Sequence, residues 1–123
     1  MRNPQPLTRI TLLIPTPKTA SEFLLIDSLI EELCEVCGGV TASLQTPPVF
    51  SGVWLDTQEV LISDNIMHIF ADAPFLMDDP DIDFWLDWLE GLKLWYQEQL
   101  NQDVIWITLT PIYRITPYDN QRV

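Results

Sequence analysis

Basic residues are scarce in this chain: six Lys and Arg stand against eighteen Asp and Glu among 123 residues, a formal net charge of -12. So anionic a molecule repels phosphate backbones and anionic lipid surfaces at long range, and neither nucleic acid nor a membrane surface is an expected partner. Long apolar runs are missing too. No stretch approaches the roughly 18 apolar residues of a membrane span, and the start Met-Arg-Asn-Pro-Gln-Pro has no apolar segment of the kind that directs secretion. Cysteine is limited to Cys34 and Cys37. Two cysteines three apart in a helical pattern make no disulfide framework, so a reducing, cytoplasmic setting is expected. With one histidine, His68, and four glycines, the chain has no His-carboxylate metal spacing, no glycine-rich phosphate loop and no nucleophile elbow. No cofactor or metal is expected.

What is present is the composition of a packed domain. Hydrophobic residues make up 47% of the chain, with 5 Trp and 5 Phe, enough apolar surface to offset backbone ordering without staples. One domain spanning residues 1–123 is expected, with 1–7 and 117–123 flexible.

Thr8 to Ile14 alternates, Ile10, Leu12 and Ile14 against Arg9, Thr11 and Leu13, which predicts a first strand. Thr19-Ala20-Ser21-Glu22 matches a capping box, in which the Thr hydroxyl accepts from a first-turn amide and the Glu reaches back to the cap amide. A helix follows, with Phe23, Ile26, Ile30, Leu33 and Cys37 as its apolar stripe, and Gly38-Gly39 supplies a positive-φ stop. Val40 to Thr46 alternates again and predicts a second strand before Pro47-Pro48. From Ser51 to Ala73 the chain reads as β, with turn signals at Asp56-Thr57 and Asp64-Asn65 and an open register. Asp79-Pro80 offers a cap residue followed by proline at the first helical position. The second helix then buries Ile82, Trp85, Leu86, Leu89, Leu92, Tyr96 and Leu100 as far as about Asn101. Val104 to Thr110 predicts a last strand, ended or kinked by Pro111.

This order predicts an α+β fold of the ferredoxin-like βαββαβ type: an antiparallel sheet with two helices on one face and a β-hairpin insertion before or within the third strand. The run Gly38-Gly39-Val40-Thr41 after the first helix, then Gly52-x-Trp54 after a proline-rich loop, then a strand and a long helix, resembles small bacterial ferredoxin-like proteins of unknown function. The resemblance covers most of the chain. It implies the fold and carries no catalytic residue.

Two motifs have chemical spacing but blander explanations. Cys34-x-x-Cys37 has the spacing of a redox or zinc pair, yet it falls at a helix C-terminus, where the dipole and Glu31, Glu32 and Glu35 raise a thiol pKa. No second pair completes a zinc site, so packing is the expected role. Asp79-x-Asp81-x-Asp83 opens like a calcium loop, but Phe84 stands where the turn glycine belongs, and acids in a first helical turn are explained by the macrodipole. A carboxylate surface imitating nucleic acid is permitted by charge alone.

Two surfaces remain as candidate sites. If Ile10, Leu12, Ile14, Ile105, Ile107 and Leu109 face the helices, then Arg9, Thr11, Ser43 and Trp106 lie on the uncovered sheet face. His68 joins them if Met67, Ile69 and Ala71 point inward, although Ile66 and Phe70 allow the reverse. Arg binds carboxylates, His changes charge near neutral pH and Trp offers a stacking wall, so these five residues are the ligand-binding candidates and His68 the catalytic one. The second helix carries surplus aromatics, Phe84, Trp88 and Trp95. They are either covered by the hairpin with Trp54 or left as a partner interface. The expected function is a non-catalytic cytoplasmic module that binds a protein partner or itself, as in a homodimer. The alternative is a small-molecule-binding protein or cofactor-free enzyme with a pocket around His68. RNA binding on the sheet face lacks the basic groove that captures phosphate.

Overall fold

Residues 4–43, 50–55, 61–102 and 105–115 are described by a computed structural model, the side chains of 50–55 and 61–65 excepted. The elements run β1 (Gln5–Pro15), α1 (Ala20–Cys37), β2 (Thr41–Ala42), β3 (Phe50–Leu55), β4 (Leu61–Ala73), α2 (Ile82–Gln99) and β5 (Trp106–Arg114). The fold is α+β. All described strand pairs are antiparallel, in the order β2-β4-β1-β5, with β3 also paired to β4. Ile66 meets Pro15 of β1 on one edge and Phe50 of β3 on the other. Since β2 takes Ile69 and Phe70 of β4 opposite β1, β2 and β3 share one edge of β4, and the sheet is four strands wide.

Alternation decides which way the strands face. Ile10, Leu12 and Ile14 of β1 are fully buried, and their neighbours Ala71, Ile69 and Met67 of β4 are buried with them. Ile26, Leu29 and Leu33 of α1 and Leu89, Leu92 and Tyr96 of α2 join the same cluster. Both helices therefore lie on one face of the sheet, α1 against β4 and α2 against β5. Each aliphatic side chain removed from water there contributes about 1.5–3 kcal/mol.

At α1 the Thr19 hydroxyl accepts from the Glu22 amide at 3.2 Å while Glu22 accepts from the Thr19 amide at 3.2 Å, the reciprocal box the sequence announces. Gly38, at φ 83°, closes the helix by donating its amide to the Cys34 carbonyl, a conformation that costs glycine no Cβ clash. The stripe differs from expectation: Ile26, Leu29 and Leu33 are the buried residues, Ile30 and Cys37 pack against the core only partly buried, and Phe23 is exposed.

At α2 the start moves two residues later than Asp79-Pro80 suggests. The helix begins at Ile82 with Asp81 as its N-cap residue, and the Asp81 side chain makes no cap hydrogen bond. Asp79 instead holds the preceding turn, its Oδ2 accepting from the Leu76 amide at 2.7 Å. Pro80 thus belongs to this turn.

Three strand expectations also change. β1 begins at Gln5 rather than Thr8, so Gln5, Pro6 and Leu7 belong to the first strand; residues 117–123 lie outside the described residues. Asp64-Asn65 is not a turn, because Asp64 and Asn65 pair with Gly52 and Ser51 inside one unbroken β4. Asp56-Thr57, by contrast, falls outside the described residues. Nor does Pro111 end β5, which continues to Arg114. As the outermost strand, β5 has an edge where a missing amide forfeits no ladder bond.

Candidate functional site: an open sheet face and an acidic helix groove

The sheet face away from the helices carries three rows of side chains. His68, Leu13 and Trp106 form the first, Phe70, Thr11 and Thr108 the second, and Asp72, Arg9 and Thr110 the third. His68 lies on this face because Met67, Ile69 and Ala71 point into the core. Its backbone is tied to Ser43, whose amide donates to the His68 carbonyl at 2.9 Å and whose hydroxyl accepts from the His68 amide at 3.0 Å. The His68 and Phe70 rings sit 5.6 Å apart. The five candidate ligand residues are thus on one platform, but Arg9 is two rows from His68, about 13 Å along the strand.

Arg9 is also engaged. Its Nε and Nη2 donate to the two carboxylate oxygens of Asp72 at 2.8 and 3.1 Å, and its guanidinium carbon lies 4.3 Å from the centre of the Phe70 ring. The bidentate pair holds the Asp72 carboxyl below its ordinary range and the Arg9 guanidinium above its own. Arg114 reaches the same carboxylate at 3.6 Å. No motif in the sequence marks Asp72. Its role depends on a register, Arg9 opposite Asp72, that neither segment reveals alone.

Asp72 and Arg114 line a recess of about 490 Å³ with Cys37, Gly38, Gly39 and Thr41 at the corner of the sheet. Burial pushes the Cys37 thiol up to about 11, with Asp72 and then Cys34 adding to the effect. Burial, rather than the acids of α1, leads the shift. Both cysteines are free thiols, and Cys34 is exposed. Among the described residues no three His, Cys, Asp or Glu side chains are grouped to hold a metal, and no helix is long and apolar enough to cross a membrane.

The second surface lies between the helices. Phe75, Trp85 and Trp88 form a run of ring contacts, Phe75 stacked on Trp85 at 5.1 Å and Trp88 meeting Trp85 edge-on at 6.0 Å, which accounts for the partial burial of Trp88. Phe84 and Trp95 remain 66% and 48% exposed, so neither is covered; the Trp54 side chain lies outside the described residues. A groove of about 490 Å³ runs between Trp88 and Trp95 over Gly91, with Tyr96 in its floor and Glu32 and Asp87 at its rim. Tyr96 donates to the Ser28 hydroxyl at 3.3 Å, and burial holds its phenol above the ordinary range.

His68 lines neither the recess at Asp72 and Arg114 nor the groove over Gly91. In comparisons with known proteins, no family model, no curated protein and no solved structure matched this chain.

Proposed function

We propose that the chain is a non-catalytic cytoplasmic module that self-associates by stacking its open sheet face on that of a second copy. The supporting observation is how charge is distributed between the two sides of the sheet. The helices carry Glu22, Asp27, Glu31, Glu32, Glu35, Asp83, Asp87, Glu90 and Glu98 against the single base Lys93. On the open face, the charged groups among the described side chains are Arg9, Arg114 and Asp72, and both arginines reach the Asp72 carboxylate. Two copies brought together by their helices would set acid against acid, whereas their sheet faces meet without net anionic repulsion.

The platform is also large enough and apolar enough. Four strands of about nine residues span roughly 19 by 30 Å, the same order as the ~800 Å² that each partner contributes to a standard interface. Trp106, 49% exposed, and the partly exposed Leu13 and Phe70 supply apolar area there. The ferredoxin-like reading belongs to the same proposal. Taking β2 and β3 as one interrupted strand converts the element order into βαββαβ with the 4-1-3-2 arrangement, and the β3–β4 pair then forms the hairpin extension. The free thiols of Cys34 and Cys37 support a reducing compartment. A small-molecule site around His68 has less support, because Arg9 is engaged by Asp72 and Phe70.

Sedimentation velocity over a wide concentration range tests this reading. The wild type is expected to reach about twice its 14.2 kDa monomer mass, and Trp106→Glu to shift that transition to at least tenfold higher concentration. A strict monomer at high concentration, or a dimer indifferent to Trp106→Glu, overturns it.

A further inference from the structure

We infer that the groove between α1 and α2 is a docking site for a basic amphipathic helix of a partner protein, a surface separate from the self-associating sheet face. The inference rests on shape and charge at the same place. The floor and walls are aromatic: Trp95 stands half exposed and meets Tyr96 edge-on at 4.7 Å, while Trp88 closes the opposite end. Gly91 keeps the middle open, since a Cβ there would meet nothing within 4 Å. A bulky apolar side chain can enter over Gly91 and rest against the indoles.

The rim dictates the sign of the occupant. Glu32 of α1 and Asp87 of α2 flank the aromatic floor, and the first turn of each helix is acidic while neither last turn holds a base. A helix with apolar residues at i, i+3 or i+4, and i+7 and with Lys or Arg beside them matches both features at once. Its cations face the rim carboxylates and, where they pass over an indole, gain from the ring quadrupole as well. A second copy of this chain fits poorly, because the helices that would enter are themselves acidic. Nucleic acid and anionic lipid are repelled by the same rim.

The test uses a synthetic 18-residue helical peptide of Leu and Lys with one apolar face, followed by indole fluorescence and by backbone amide shifts. Two control peptides accompany it, one with Glu in place of every Lys and one with the same composition scrambled to abolish the apolar face. Expected are saturable 1:1 binding with shifts centred on residues 88–96, at least tenfold weakening by Gly91→Leu, and similar weakening by Glu32→Lys with Asp87→Lys. Gly91 is an exposed mid-helix position, so Gly91→Leu keeps the fold, and circular dichroism confirms that. Trp106→Glu binds the peptide as the wild type does, so loss of sheet-face association and loss of groove binding are read separately. Equal binding of the scrambled peptide reduces the effect to bulk charge attraction and overturns the inference, as does Gly91→Leu binding undiminished.

Discussion

Arg9 and Asp72 stand opposite each other on the two central strands, joined through both carboxylate oxygens at 2.8 and 3.1 Å. The pair fixes the register of β1 against β4 on the exposed side, while Ile10 and Ala71 next to it fix the same register in the core. Because it holds the Asp72 carboxyl below its ordinary range, the pair has a definite pH signature.

A group whose folded pKa is depressed adds stability above its unfolded pKa, about 3.9 for Asp, and loses it as pH falls through the folded value. Asp72→Asn is therefore expected to cost stability at pH 7 and to narrow the difference from the wild type as both are acidified below about pH 4. Since Arg9 is 38% exposed, solvent screening keeps the coupling near ~1 kcal/mol in a double-mutant cycle with Arg9→Gln. Urea midpoints at pH 7 and pH 3 measure both quantities. A gap between Asp72→Asn and the wild type that widens on acidification contradicts the assignment.

The two helix starts should respond unequally. Thr19→Ala removes one arm of a reciprocal cap and is expected to cost about 1 kcal/mol, whereas Asp81→Ala removes no cap hydrogen bond and is expected to cost less than ~0.5 kcal/mol. Asp79→Ala, which frees the Leu76 amide held at 2.7 Å, should resemble Thr19→Ala. Thermal melts of the three variants rank them.

Thiol labelling in the folded state should find one accessible cysteine. Cys34 is exposed, while Cys37 is half buried with its thiol pushed up to about 11, and the thiolate is the reactive species. At pH 8 an alkylating reagent is expected to modify the wild type once and Cys34→Ser at least tenfold more slowly. Mass spectrometry after timed quenching counts the adducts, and rapid double modification contradicts the burial of Cys37.

Much of the fold was legible because the signals were local. The alternation of Ile10, Leu12 and Ile14 marks β1, and Thr19 with Glu22 marks the start of α1 within a single turn. The misplacements occurred where a strong local preference lost to pairing or to a competing turn. Asp64-Asn65 favours a turn in isolation, but ladder partners at Gly52 and Ser51 hold it extended. Asp79-Pro80 is a good helix start, yet the Asp79 carboxylate is used by the Leu76 amide. The facing of β4 was not readable from apolarity alone, because Ile66 and Phe70 are as apolar as Met67 and Ile69; the burial of Met67, Ile69 and Ala71 against the helices is what places His68 on the open side. Nor was the Arg9–Asp72 pair readable, because residues 63 positions apart become neighbours only through the register of two strands. The groove over Gly91 was half readable: the spacing of Trp88, Gly91 and Trp95 sits in one helix, while Glu32 and Ser28 come from the other.

The nine helix carboxylates on one side of the sheet give the described residues an electric moment roughly perpendicular to the strands. Approaching any positively charged body at low ionic strength, the chain turns its helices forward before contact and leaves the platform trailing. Orientation is thus selected during diffusion, and added salt, which shortens the reach of that torque, should slow such encounters more than it loosens the contacts that follow.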